Sequence, residues 1–271
     1  MNWRLYAVSS MPIHLKLPKM QDEAPLPERA AARTKRAGRP PGRHPDETRE
    51  RILDVAEELF ANNGYNGTSL RDVARTAELQ TAAIGYHYPS KEDLFDTVIR
   101  RRAAVMTEWR QRVLAEMRRR HGEAAIPLDE LVRAYVQPFY ESANHGDAGW
   151  RHYAALMGRL ANSPMGTEVI ARHYDTTARE YIDEFLRSLP GVARPSVIDG
   201  FTFMVASMLA LCAGTGRAQR LAGDRGDARP LNEPFSNLVT FLVSGFIALP
   251  AEPSRHSRSV KAGARRVLTT P

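Results

Sequence analysis

Residues 29–43 hold six bases and no acid: Arg29, Arg33, Lys35, Arg36, Arg39 and Arg43. Cationic side chains with no acids among them bind phosphate. The stretch Lys35–Arg36–Ala37–Gly38–Arg39–Pro40 contains a Gly-Arg-Pro core of the AT-hook kind. Such a core lays arginine in the narrow minor groove of A·T-rich DNA, so Arg36 and Arg39 are candidate minor-groove residues. A second acid-free run, residues 253–271, adds Arg255, Arg258, Lys261, Arg265 and Arg266. The 271-residue chain carries +7, yet the body 44–252 is −4. A mildly acidic body between two basic runs fits a polyanionic partner reached by arms, although basic tails also serve solubility alone.

Catalytic spacings are missing. There is no Gly-rich phosphate loop, no His-Glu-x-x-His and no Gly-x-Ser-x-Gly. His145, His152 and His173 lack the spacing of metal ligands. The expectation is a chain that is not an enzyme, with no catalytic residue, no metal and no cofactor. Cys212 is the single cysteine, which rules out an intramolecular disulfide and fits a reducing cytoplasm. Residues 1–20 show no continuous apolar core of a signal peptide. No unbroken apolar run reaches the roughly 18 residues of a membrane span; Phe201–Ala213 comes nearest. A cytoplasmic protein with no membrane partner is expected.

The elements that position these residues read as helices. At 43% hydrophobic and 25% charged residues, the composition excludes wholesale disorder. β-Branched alternation is absent, and the periodicity predicts helices at 46–62, 69–76, 80–87, 91–119, 128–143, 149–161, 166–188, 195–213 and 232–248. The 91–119 stretch is long enough to be a connector followed by a separate helix. Residues 216–231, with Gly216, Gly223, Gly226 and Pro230, read as a loop. Ile52, Val55, Ala56, Leu59 and Phe60 predict one buried stripe, ended by Asn63–Gly64. Thr68 is the expected N-cap of the next helix, and Ser90–Lys91–Glu92–Asp93 resembles a capping box. Two short helices braced by longer ones form a helix-turn-helix pattern. The predicted organisation is an arm over 1–45, a helix-turn-helix domain over 46–95, a helical domain over 96–250 and a basic tail over 251–271.

Ile52–Phe60, Gly64–Ala74 and Tyr86–Leu94, in order and at this spacing, closely resemble the DNA-binding domain of the tetracycline-repressor (TetR) family of bacterial transcription regulators. The resemblance covers about 50 residues and implies an all-α homodimer. It further implies a C-terminal helical domain that binds a small-molecule effector and dimerises through its last two helices, here 195–213 and 232–248. The partners it implies are double-stranded DNA with a palindromic operator, a second copy and the effector, in a bacterial, nucleoid-associated setting. Two positions depart from the pattern: Glu78 stands where glycine is usual in the turn, and Gly85 where an aromatic residue is common.

With helix 80–87 in the major groove, Gln80 can pair bidentately with adenine. Thr81 can touch a base edge or a thymine methyl, and Ala82 lets the backbone approach. The resemblance implies phosphate contacts for Tyr86, His87 and Lys91. Tyr86 has the alternative of packing on Phe60. Thr68, Ser69 and the amides that follow would hold a phosphate at a helix N-terminus. In the second domain Phe139, Trp150, Met157, Met204 and Met208 are candidate effector-binding residues. His152, Arg159 and His173 are candidates to fix an anionic or carbonyl head group. His152–Gly216, with Met157–Gly158–Arg159–Leu160 and Ala213–Gly214–Thr215–Gly216–Arg217, loosely resembles regulators that sense fatty acids or acyl-coenzyme A. The expected function is a ligand-responsive regulator, a repressor released by its effector. The alternatives are an enzyme using the helical cavity and an architectural DNA-binding protein without an effector; the latter predicts little sequence preference and no ligand-dependent release.

Overall fold

Asp46 and Glu47 open the first helix, α1 (Pro45–Asn63), where carboxylates oppose the positive end of the helix dipole. The computed structural model describes residues 45–223 and 233–250, and among these lie ten helices and no strand. Arg36, Arg39, both basic runs and residues 224–231 of the expected loop lie outside the described residues.

Ile52, Leu53, Ala56 and Phe60 of α1 are buried, whereas Val55 and Leu59 are only half-buried. The stripe is thus turned from the expected one toward Leu53 and Glu57, because a later helix packs on that side. Gly64, at φ 74°, ends α1 in the left-handed conformation expected of it. The N-cap of α2 (Leu70–Thr76) is Ser69, not Thr68. Thr68 is instead buried, and its hydroxyl donates to the carbonyls of Leu59 (3.1 Å) and Gly64 (3.0 Å), tying the end of α1 to the turn. Between α2 and α3 (Thr81–His87), Glu78 sits at φ 53°, the one non-glycine residue in the left-handed region among the described residues. The turn therefore forms as the pattern requires, at the cost of a strained residue.

Ser90 caps α4 (Lys91–His121), its hydroxyl accepting from the Asp93 amide at 3.0 Å. The helix is a single unbroken element of 31 residues, not a connector plus a separate helix. It contains neither glycine nor proline, and its buried face repeats at helical spacing through Ala103, Met106, Arg110, Val113, Leu114 and Met117. Then follow α5 (Leu128–His145), α6 (Ala148–Leu160), α7 (Pro164–Ser188) and α8 (Arg194–Cys212). A six-residue helix, α9 (Arg217–Ala222), occupies part of the segment read as a loop. It starts after Gly216, at φ 66°, and buries no residue, so no apolar period announced it. The last described helix is α10 (Glu233–Ile247).

One continuous hydrophobic core runs from α1 through α4 into α5–α8 and α10. α6 lies on α1 and α8, α4 spans α1, α5 and α7, and α10 packs on α5 and α8. A Cβ on Gly200 of α8 would lie 2.7 Å from the Phe246 ring of α10, so glycine permits that close approach. By length and composition α8 could cross a membrane, with a mean hydropathy of 1.6 over 18 residues. The expectation from unbroken apolar runs missed this, because scattered Ser, Thr and Asp interrupt the run without lowering the mean enough. In the fold, Val197, Phe201, Met204 and Met208 of α8 are buried in the bundle, while Ile198 and Phe203 face outward.

Candidate nucleic-acid interface and the joint behind it

Ile84, fully buried, anchors α3, and its neighbours Gln80, Thr81 and Ala82 are exposed on the outer side. Gln80 is the N-cap residue, and its side chain makes no capping bond, which leaves its amide available for other partners. Tyr86 is 85% exposed and rests edge-on against His87, with ring centroids 5.2 Å apart. It does not pack on Phe60, whose ring meets Tyr65 and Phe95 instead. A large aromatic side chain held out in water in this way is available to a partner. Nothing lies within 4 Å of a Cβ built on Gly85, so the outer face of α3 is open there too.

The start of α2 is already occupied. The Asp72 carboxylate accepts from the Ser69 amide (3.1 Å) and hydroxyl (2.6 Å). These two hydrogen bonds, with Arg75 nearby, hold its pKa below the usual carboxylate range. Thr68 is engaged with backbone carbonyls, so the phosphate role expected of Thr68 and Ser69 has to compete with contacts inside the chain. Lys91 places its ammonium 4.1 Å from the centre of the Tyr65 ring, while the Tyr65 hydroxyl donates to Glu92 at 2.5 Å. Burial and that carboxylate push the Tyr65 phenol up to about 12.

Behind α3, α1 is locked to the rest of the chain by an ion cluster that the sequence reading missed. Glu57 of α1 is 1% exposed. Arg102 of α4, also buried, donates to both its oxygens, from Nε at 3.0 Å and from Nη2 at 2.9 Å. Arg102 also reaches Asp147, the N-cap of α6, at 3.2 Å, and lies 4.9 Å from the Trp150 ring centre. Arg101 donates to Glu57 (2.8 Å), Asp54 (2.7 Å) and Glu50 (3.2 Å). Burial works to raise the Asp147 pKa, but the Arg102 charge and the Trp150 amide outweigh it and hold it low. Gly149 is what lets α6 come this close: a Cβ there would lie 1.9 Å from Arg102 Nη2 and 2.5 Å from Glu57 Oε2. The only hint in the sequence was Glu57 one turn after Leu53 on a helix side that proves apolar.

Among the expected effector residues, Phe139, Trp150, Met157, Met204 and Met208 are buried. Phe139 lies 6.2 Å from Tyr153, ring centre to ring centre. The polar three are not gathered with them. Arg159 is exposed and donates to the Asn62 carbonyl at the end of α1. His173 pairs with Asp96 of α4 at 3.0 Å, and His152 is half-buried. The buried cation among the aromatics is Arg110, which sequence reasoning passed over although it sits in the apolar period of α4. Among the described residues no cluster of His, Cys, Asp and Glu has metal-site geometry.

Comparison with known proteins gives this arrangement its family. A profile described as "Bacterial regulatory proteins, tetR family" matches residues 52–98, and "Tetracyclin repressor-like, C-terminal domain" matches residues 133–245. The regulator AcrR of Shigella flexneri is 44% identical over 52 residues, 19% of this chain and 24% of that protein. The repressor KstR2 of Mycobacterium tuberculosis is 28% identical over 116 residues, 43% of this chain and 54% of that one. These matches span about a quarter to a half of the relatives' length. In fold, the chain resembles HlyIIR, a hemolysin II transcriptional regulator, with a TM-score of 0.51 at 16% identity, over 74% of this chain and 97% of that one. It also resembles FadR of Bacillus subtilis, solved with stearoyl-CoA, with a TM-score of 0.50 at 17% identity, over 73% and 98%. With the helix-turn-helix profile on α1–α4 and the C-terminal profile on α5–α10, the chain belongs to the tetracycline-repressor family of bacterial regulatory proteins.

Proposed function

We propose that the chain is a homodimeric, ligand-responsive transcriptional repressor that reads a palindromic operator with α3 in the major groove. The observation that carries this reading is the outer face of α3. Gln80, Thr81, Ala82 and an 85%-exposed Tyr86 stand out, while Ile84 alone ties the helix to the core. Gln80 and Thr81 supply base contacts, and Tyr86, His87 and Lys91 supply phosphate contacts. Arg36 and Arg39 of the arm add the minor-groove contacts of the same site. The division of labour follows the predicted boundaries, with DNA reading over 46–95 and ligand binding and pairing over 96–250.

The pairing surface is the outer side of α8 and α10. Phe203, Phe241 and Ile247 are 63%, 70% and 65% exposed there. Burying such a patch against a second copy removes it from water and aligns two α3 helices on one face of DNA. The effector is a fatty acid or its coenzyme A thioester, a reading supported by the apolar, methionine-containing interior of the second domain and by the fold shared with a regulator solved with stearoyl-CoA.

The test is selection of binding sites from random duplex DNA, then titration of the selected site. An inverted repeat bound by a dimer is expected. Tyr86→Ala, which removes an exposed ring, should leave thermal stability unchanged and weaken binding uniformly across sequences. Gln80→Ala should relax one base position, by about 1–3 kcal/mol of discrimination. Binding with no sequence preference would favour the architectural alternative and overturn the proposal.

A further inference from the structure

Arg110 is 2% exposed, in the middle of α4, and among the described residues no carboxylate pairs with it. Its Nε donates to the Tyr135 carbonyl at 3.0 Å, and Nη2 has only the Met208 sulfur, at 3.6 Å. The guanidinium lies 3.8 Å from the centre of the Tyr135 ring and 5.9 Å from that of Tyr174. Nearby Asp175 is engaged with Arg179 at 3.0 Å. No tyrosine can serve as the counter-ion. Burial pushes the Tyr174 phenol up to about 12 and raises Tyr135, Tyr153 and Tyr181 as well, so all four are neutral at physiological pH. Burial likewise pushes the Cys212 thiol up to about 12.

Part of the arrangement has a local reason. Pro138 inside α5 has no N–H to give the Ala134 carbonyl one turn back, which leaves that acceptor open to another donor. Tyr181 donates to the Arg110 carbonyl at 2.9 Å and reaches the Ala134 carbonyl at 3.5 Å, and Arg110 takes Tyr135. That bond uses one of five guanidinium donors. A neutral side chain would fill the space without the cost of an unpaired buried charge. Beside it the Tyr153 and Tyr174 hydroxyls meet at 2.5 Å, a second polar group enclosed by rings.

From this unpaired fork among neutral hydroxyls and apolar side chains, we infer that the effector is a small organic carboxylate, its carboxylate seated on Arg110 and its apolar body among the tyrosines and Met208. Rigid guanidinium geometry suits two-point recognition of a carboxylate. The inference rests on the ligand-responsive reading above and narrows it to free acids over thioesters, whose carbonyl end carries no charge.

The experiment uses the full chain with octanoate, decanoate and benzoate, their primary amides, and decanoyl-coenzyme A. Binding is read by calorimetry and by thermal shift. At least one acid should bind, its amide should not, and decanoyl-coenzyme A should bind no better than decanoate. Arg110→Met keeps the length and removes the charge. It should leave the unliganded melting temperature unchanged or higher and weaken the acid by about ten- to hundredfold. Equal binding of acids and amides, an undiminished acid affinity in Arg110→Met, or no binding by any acid overturns the inference. A lower melting temperature in Arg110→Met with unchanged acid affinity would show Arg110 to be only a cap on the Tyr135 carbonyl. Sequence-specific DNA binding is measured separately on the unliganded protein, so its loss would count against the regulator reading alone.

Discussion

Glu57→Gln puts the buried ion cluster to a quantitative test. Glu57 is 1% exposed and Arg102 4%, and two hydrogen bonds at 2.9 and 3.0 Å join them. Glutamine keeps the size and removes the charge. Arg101 keeps Asp54 and Glu50, but Arg102 is left with Asp147 alone, whose side chain is 53% exposed. Breaking a buried pair from one side costs about 3–5 kcal/mol, because the remaining charge is stranded. For a chain of this size each kcal/mol moves the melting temperature by about 2–4 °C, so a fall of about 6–20 °C is expected. Urea unfolding followed by circular dichroism, at fixed protein concentration, measures the free-energy loss, and a thermal scan measures the fall in melting temperature. Glu57→Leu combined with Arg102→Met should recover more than half of the loss, since neither charge is then stranded. Gly149→Ala should weaken the same joint, because its methyl group falls 1.9 Å from Arg102 Nη2. A Glu57→Gln loss below about 1 kcal/mol would refute the reasoning, since only a solvent-screened pair is worth so little.

Other positions give sharper single outcomes. Glu78→Gly relieves a side chain held at φ 53° and sacrifices only an exposed ion pair with Arg51, so a gain of about 1 kcal/mol in unfolding free energy is expected; a loss would show that the pair outweighs the strain. Gly85→Ala meets open space in mid-helix and should stabilise by about 0.5–1 kcal/mol; if DNA affinity nonetheless falls, the bare backbone at Gly85 touches DNA. The Cys212 thiol, raised to about 12 by burial, should react with a disulfide reagent at pH 8 far more slowly than in urea, and equal rates would contradict its enclosure. Burial works to raise the Asp96 pKa, yet hydrogen bonds from His173 and Arg172 hold it below its ordinary value. Its stabilising effect is therefore complete above about pH 4 and fades as the pH falls through the lower folded value. Asp96→Asn should flatten the acid limb of a stability–pH curve, and an unchanged limb would remove Asp96 from the account.

Periodicity placed nine helices within a residue or two of where they lie, because most bury a stripe at helical spacing and many are bounded by glycine, proline or a capping serine. It failed where the deciding partner is distant in sequence. Thr68 has the chemistry of an N-cap, but the carbonyls of Leu59 and Gly64 claim its hydroxyl, and Ser69 takes the cap. On α1 the buried side passes through Leu53 and Glu57 because α6, some ninety residues later, covers it. The outer face of α3 was legible for the opposite reason: its exposure needs only a short helix with one apolar anchor, Ile84. Arg159 and His173 looked suited to a ligand because their helices are apolar, yet the Asn62 carbonyl and the Asp96 carboxylate engage them. Arg110 stood in plain sight within an apolar period. Its missing counter-ion shows only once the fold reveals which side chains surround it.

The two buried arginines of α4 lie on one rigid rod. Arg102 holds α1 through Glu57, and Arg110, eight residues and about 12 Å further along the axis, donates to the Tyr135 carbonyl of α5. Within α4 neither glycine nor proline can absorb a displacement between them. In the proposed complex, a carboxylate on the remaining donors of Arg110 pulls on the guanidinium that the Tyr135 carbonyl also holds, so it would favour an arrangement of α4 and α5 different from the unliganded one. Any tilt of α4 that follows is felt at Glu57, where Gly149 leaves no slack between α6 and α1. α1 packs against α2, and α2 against α3, so the spacing of two α3 helices in the proposed dimer would follow from α4. Linkage then demands a reciprocal effect: operator DNA must weaken acid binding by the factor by which the acid weakens DNA binding. Calorimetric titration of the acid with and without the selected operator measures that factor directly. Equal acid affinities in the two titrations would mean that Arg110 binds its ligand without being coupled to DNA.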